Sequence, residues 1–160
     1  MKILSQSIRL QLLAWMINVA VPLLNMFRPL KVWPYTLDEL KDFPAKSLGV
    51  ETAAFLARRN FDFLPQYETH DAIHTLLEYG TTTTGELRLQ AFMWGNQSAS
   101  FAGRVLLVLG VITLPELWMQ LRQDYKRGYQ AQHLGSLDIT GLLKEDLQEL
   151  RQQFELIPLI

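Results

Sequence analysis

The chain has no cysteine. Disulfides, thiolate metal sites and a cysteine nucleophile are therefore excluded together. Charge is also sparse: 19% of the 160 residues are Asp, Glu, Lys or Arg, against about 25% in ordinary soluble proteins. A net charge of −1 supplies no basic field to release counterions from phosphate, which argues against nucleic acid as a partner. Neither GxGxxG, nor GxxxxGK followed by Ser or Thr, nor GxSxG occurs. The chain thus offers no phosphate-cradling glycine loop and no serine nucleophile elbow. Internal repeats, low-complexity tracts and long linkers are missing as well. What remains is apolar: 49% of residues are hydrophobic, enough for a real core and too many for a disordered chain.

Acidic residues are absent from the first part of the sequence. None precedes Asp38, whereas Lys2, Arg9, Arg28 and Lys31 do. Between Arg9 and Arg28 the run LQLLAWMINVAVPLLNMF carries no charge. A transmembrane helix needs about 20 mostly apolar residues, and Asn18, Pro22 and Asn25 interrupt this run. A secretory signal would show a small-residue cleavage site after a short apolar core, and none is evident. The favoured expectation for residues 1–33 is one or two helices broken near Pro22. They would be buried or would lie at a membrane interface, with basic residues and Trp15, Phe27 and Trp33 at the headgroups.

The rest of the chain reads as helices with almost no strand alternation. Thr36-Leu37-Asp38-Glu39 is a capping-box pattern for a short helix ending before Pro44. Residues 48–59 form a helix with Phe55 and Leu56 inward and Arg58 and Arg59 in its last turn. Asn60 to Pro65 is a connector. Residues 66–79 form the next helix, with Gly80 as its stop. Thr83-Thr84-Gly85-Glu86 is a second capping box, opening a helix through Trp94 that Gly95-Asn96 closes. An apolar helix over about 98–110 precedes a long one over about 114–133 with Pro115 in its first turn. The last helix runs from near Asp138 and lays Leu143, Leu147, Leu150 and Phe154 on the core. The expected fold is all-α: a single-domain helical bundle over residues 1–160, of about seven helices.

Two of only three histidines stand in the segment HDAIHTLLEYGTTTTGE, residues 70–86. At about 100° per residue, His70, His74 and Asp71 share an arc of about 100° on one helix. Ile73 and Leu77 lie beside that arc, so it faces the interior or the wall of a cleft. Imidazole and carboxylate groups are expensive to bury unpaired, and a divalent cation resolves the expense. A further ligand must come from elsewhere: Glu86 opens the next helix, and Glu78 is the local rival. Competing structural readings are an Asp71–His74 ion pair, a purely capping role for Glu86, and a solvated Glu78. His133, in a Gln-rich stretch, reads as a surface or helix-end histidine. Arg58 and Arg59 are the nearest basic candidates in sequence for stabilising charge at such a site, and the favoured reading is a cation pair on a helix C-terminus.

The pattern His70-Asp71-Ala72-Ile73-His74, eleven residues, then Glu86 resembles the motif of the coenzyme Q biosynthesis protein 4 family. Ser47-Leu48-Gly49, the Phe61 to Pro65 connector, Gly85-Glu86-Leu87, Gln90-Ala91-Phe92 and Leu142-Leu143 through Leu147-Gln148-Glu149-Leu150-Arg151 resemble its surroundings. The similarity covers most of residues 43–155 and, more loosely, 10–30. Asp138-Ile139-Thr140-Gly141 departs from the family's Trp-Glu pair, as a divergent bacterial member would. The resemblance implies a metal site between two consecutive helices, its ligands His70, Asp71, His74 and Glu86 and its ion zinc, with Fe2+ as the alternative. It also implies an activity on a polyprenylated aromatic quinone precursor in ubiquinone assembly. That activity is an oxidative decarboxylation, the work of a lyase, or else a non-catalytic scaffold role with a structural metal. Zinc has no redox role, so oxygen chemistry would favour an open-site iron. The implied partners are the membrane surface, other quinone-biosynthesis enzymes and a possible homodimer. The implied location is peripheral, on the cytoplasmic face of a bacterial inner membrane or, in a eukaryote, at the mitochondrial inner membrane. The apolar stretch 105–121 is expected to line a tunnel for the lipid tail, or else to be ordinary core or a dimer interface.

Overall fold

A computed structural model describes residues 5–25, 33–63 and 67–159 of the chain, with the side chains of 17–25 left aside. The expectations placed on Lys2, Phe27, Arg28 and Lys31 lie outside the described residues. Helix is the only regular secondary structure among those residues, so the all-α reading holds. Seven of the helices there reach seven residues or more. The chain gathers into two compact units, one of Met1–Pro29 with Tyr79–Gly135 and one of Leu30–Glu78 with Ser136–Ile160.

The first unit contains α1 (Gln6–Asn25), α5 (Thr83–Gly95), α6 (Phe101–Thr113) and α7 (Trp118–Gln130), numbered in chain order. The expected break near Pro22 is not found, since α1 continues helical to Asn25. Proline removes a single helical donor, and here only three residues before the helix ends. Leu13, Leu87, Ala91, Leu107, Leu114, Leu117 and Leu121 form the core of this unit. The long helix expected over 114–133 is instead a separate 3-10 turn, Pro115–Leu117, followed by α7. Apolar stretch 105–121 divides by face. Leu107, Gly110, Leu114, Leu117 and Leu121 point inward, whereas Val105, Val108, Ile112, Trp118 and Met119 are exposed.

Helices α5 and α7 cross at backbone contact. A methyl group on Gly95 would strike the Tyr125 carbonyl, and one on Gly128 would strike the Phe92 carbonyl. Asn96 locks the same crossing: its amide donates to the carbonyls of Gly128 at 3.1 Å and Gln132 at 2.9 Å, and its Oδ1 accepts from the Leu134 amide at 2.8 Å.

The second unit contains α2 (Leu37–Lys41), α3 (Leu48–Ala57), α4 (Glu68–Leu77), α8 (Ile139–Leu142) and α9 (Leu147–Gln153). The capping box of Thr36 and Glu39 forms as expected. Phe55 and Leu56 are buried, as are Leu143, Leu147, Leu150 and Phe154. The single closing helix expected from Asp138 is divided into α8 and α9. The carbonyls of Leu143 and Glu145 leave the helical ladder and accept from the amides of Gly49 and Leu48, at 2.8 and 2.9 Å. Those amides belong to the first turn of α3, which has no intrahelical acceptors for them. Asp146 then caps α9 by accepting from the amides of Gln148 and Glu149.

In an exposed helix interior Gly→Ala gains about 0.5–1 kcal/mol. Gly128→Ala is expected to do the reverse, destabilising by about 1–3 kcal/mol through backbone overpacking. Denaturant melts check the sign, with Gly80→Ala as the comparison, since a methyl group there meets nothing within 4 Å.

Candidate metal centre

Helix α4 holds His70, Asp71 and His74. The Nε2 atoms of His70 and His74 stand 3.0 Å apart, with the rings at 86° to one another. His74 is 1% exposed and lies nearly parallel to the Phe55 ring, 22° between planes and 6.3 Å between centroids. His70 meets the Tyr67 ring edge-on at 6.1 Å. Two neutral imidazoles converge with both Nε2 lone pairs only if neither carries a hydrogen there, and at this separation those lone pairs repel. One tautomer turns the contact into a hydrogen bond. A cation resolves it differently, by taking both lone pairs. Zn–N bonds of about 2.0–2.1 Å at a tetrahedral angle place two nitrogens roughly 3.3 Å apart, so the observed pair needs to open by only a few tenths of an ångström. The two rings fit a shared divalent ion.

Asp71 is half-buried on the adjoining arc of the same helix, and its carbonyl accepts the Thr75 hydroxyl. Glu78 does not stand with the histidines. It ends α4 in the left-handed region, φ 68°, and its carboxylate pairs with Arg151 at 3.2 Å. Arg151 also donates to the carbonyls of Leu76 and Thr75, at 3.0 and 2.8 Å. Helix α4 therefore stops two residues before Gly80, the expected stop, because a guanidinium from α9 satisfies its last carbonyls. Arg59 is engaged in a similar way at the end of α3: it donates to the Phe55 carbonyl at 2.8 Å and lies over the Phe55 ring at 3.8 Å.

Glu86 belongs to the other unit, in the first turn of α5. The capping box expected of Thr83 and Glu86 is displaced by one residue. Thr82 is the cap, and its hydroxyl accepts from the Gly85 amide at 3.1 Å. The third helical position is thus Gly85, and Glu86 lies one beyond the place a box carboxylate occupies. Gly85 is required there, since a methyl group would collide with the Gly80 carbonyl. His133 is exposed, and its Nδ1 pairs with the Asn96 carbonyl at 2.8 Å, in keeping with a helix-end role.

One polar cluster was not legible in the sequence. In the first unit the buried Asp124 accepts from the Tyr79 hydroxyl at 2.9 Å and from Arg88 at 2.7 and 3.1 Å. Arg127 lies over the Tyr79 and Phe92 rings at 5.3 and 5.2 Å. Spacing offered one weak clue: Asp124 stands on the same α7 face as the buried Leu121 and Gly128, where an unpaired carboxylate would be costly. Burial first, and then the neighbouring Asp124 charge, raise the Tyr79 pKa well above its usual value.

No protein-family model matches the chain, and no curated protein does. Its fold is similar to that of a crystal structure from Nostoc punctiforme, of a protein named for a proposed role in ubiquinone biosynthesis. The two share 21% identity at a TM-score of 0.61, over 95% of this chain and 81% of the other. At that identity the likeness is one of fold.

The raised Tyr79 pKa has a definite sign. Below the unfolded value, about 10, both states hold the proton and the contribution to stability is complete. Above it the unfolded state loses the proton first, so the contribution falls with rising pH. Tyr79→Phe is expected to cost about 1 kcal/mol at neutral pH, yet to lose less stability than the native chain between about pH 9 and 11. Urea melts across that range are the check.

Proposed function

We propose that this protein acts in ubiquinone assembly, holding one divalent ion on His70, Asp71, His74 and Glu86. The observation that carries the reading is the convergence of two buried-edge imidazole nitrogens at 3.0 Å on one helix. Two sequence features support the full ligand set: Asp71 shares the histidine arc, and Glu86 follows His74 at the spacing of the family motif. The place of Glu86, one residue past the position a capping-box carboxylate takes, and the pairing of Glu78 with Arg151 favour Glu86 over its local rival. The fold likeness to a protein named for ubiquinone biosynthesis points the same way.

The proposed reaction is the oxidative decarboxylation of a polyprenylated hydroxybenzoate ring at the membrane, in which the ring carboxyl leaves as CO2 and a hydroxyl takes its place, a two-electron oxidation with dioxygen as the electron acceptor. A bound ion would supply Lewis acidity toward the substrate's phenolate or carboxylate oxygens, and iron in place of zinc would add redox capacity. The chain's own residues supply the setting. His74 is buried and stacked beside Phe55, which fixes its ring. The two carboxylates would offset the charge of a bound ion, and its affinity would depend on deprotonated ligands.

The membrane part of the reading draws on the first unit. Phe101, Val105, Val108 and Ile112 recur along α6 at spacings of four, three and four and are all exposed. Ile8, Leu12, Trp15 and Met16 of α1 are exposed too. Such faces suit an interfacial protein. Among the described residues no single helix is long and apolar enough to cross a membrane, and α6 with the segment after it passes only as a pair bent by 105°. The same faces also suit the second reading, a non-catalytic scaffold that presents lipid to other quinone-biosynthesis enzymes.

Elemental analysis of the purified protein is expected to find about one divalent ion per chain, with affinity falling on acidification. His70→Ala with His74→Ala abolishes it, whereas Glu78→Ala retains it. Chelation lowers the melting temperature of the native chain but not of Glu86→Ala. Metal retained by the double histidine variant overturns the site. Turnover of a prenylated hydroxybenzoate that survives removal of the metal supports neither reading as written. Lipid binding without turnover selects the scaffold.

A further inference from the structure

At the end of α3 the amides of Arg59 and Phe61 both return to the Leu56 carbonyl, at 2.9 and 3.1 Å. The Asn60 amide returns to the Ala57 carbonyl at 3.1 Å. Asn60 stands at φ 53°, the left-handed conformation in which Asn, after Gly, most often closes a helix. Backbone donors in this turn are thus directed to Leu56 and Ala57. The Phe55 carbonyl is met by a side chain instead, Arg59 Nη1 at 2.8 Å. That bond folds Arg59 back along α3 and lays its guanidinium over the Phe55 ring, 3.8 Å from the centroid.

Phe55 is in turn nearly parallel to His74, whose Nε2 meets that of His70 at 3.0 Å. Guanidinium, phenyl ring and two imidazoles therefore form one chain of contacts, all within the second unit. Arg59, Phe55 and His74 also line a common cavity of about 560 Å³. In a close-packed interior a ring is confined on every side by its neighbours. Beside an open cavity it has room to turn, and its orientation depends on whatever covers it. An arginine suits that place: its planar, weakly hydrated guanidinium stacks on an aromatic face while its other side stays wet.

We infer that Arg59 is a positioning residue: by holding the Phe55 ring at the cavity wall, it keeps His74 in the orientation that brings Nε2 to His70. Side chains that lock the rotamer of a ligand preorganise it, although they touch neither ion nor substrate. An aliphatic residue at this position would cover the ring but leave the Phe55 carbonyl without its side-chain donor. Lysine would offer a cation and a donor without the planar fork. Only the consequence for an ion rests on the metal reading above; the clamp itself does not.

The test starts from the full chain without metal, with the His74 imidazole followed by NMR. In the native chain its ring protons show cross-peaks to the Phe55 ring; in Arg59→Ala these weaken and the His74 signals move. Zn2+ is then titrated. Arg59→Ala is expected to bind it about tenfold more weakly, the scale on which outer residues that orient a ligand act. Arg59→Lys recovers most of that loss, and Arg104→Ala, at an exposed arginine of α6, matches the native chain. Phe55→Leu removes the ring, reproduces the loss, and makes Arg59→Ala cost nothing further, because the two act through one contact. His74 signals unchanged in Arg59→Ala, or losses that simply add in the double variant, overturn the proposal. A native chain that binds no Zn2+ overturns the metal reading instead, and the metal-free spectra still decide the clamp. Circular dichroism checks that each variant folds; if Arg59→Ala does not, Phe55→Leu and Arg59→Lys carry the same contrast.

Discussion

The amides of Leu48 and Gly49 open α3, and their acceptors are the carbonyls of Glu145 and Leu143. In return the Lys46 carbonyl accepts from the Leu147 amide, the first residue of α9. This exchange between segments nearly a hundred residues apart sets the second unit. It pins the start of α3, and hence the places of Phe55, Arg58 and Arg59. It also starts α9, and hence delivers Arg151 to the end of α4. Gly49 is needed at the seam, because a methyl group there would press on the Leu143 carbonyl and on Phe43. Backbone amides at a helix start must find acceptors somewhere, and here that requirement shapes two helices at once.

Arg151 shows how one side chain can decide the character of a neighbouring site. By taking the Thr75 and Leu76 carbonyls it ends α4. By pairing with Glu78 it engages a carboxylate one turn beyond His74. His74, in turn, owes its burial to Phe55, whose position belongs to α3. The two imidazoles are thus set by their packing against Tyr67 and Phe55.

The first unit is organised on a different principle. Its α5–α7 crossing depends on Gly95 and Gly128, where backbone meets backbone, and on the buried Asp124 cluster. A buried carboxylate is tolerated only with its lone pairs satisfied, and Tyr79 and Arg88 satisfy them. The outer face of α6 has no such partners among the described residues and stays apolar and exposed. Stability on the inner side and availability on the outer side are thus encoded along the same helix.

Much of this was present in the sequence alone. The helical class, the Thr36 cap, the inward stripes of α3 and of the closing segment, and the His70–His74 arc all depend on residues within a few positions of one another. The sequence also determined which residue types were available for a metal, since three histidines and no cysteine leave few choices. Helix ends were a different matter. Glu78 in place of Gly80, the division of the closing helix at 143–146, and the separate turn at Pro115 depend on partners that local pattern does not contain. Arg151 acts on Leu76 across 75 positions, and Tyr79 on Asp124 across 45. Lys46 and Arg151 likewise look like ordinary surface charges until α3 and α9 are packed, whereas Arg58 and Arg59 stand out in the sequence as the basic residues nearest the motif. Local periodicity chooses which residues face inward, but the last carbonyls of a helix and the company of a buried charge are satisfied only by whatever tertiary contact reaches them.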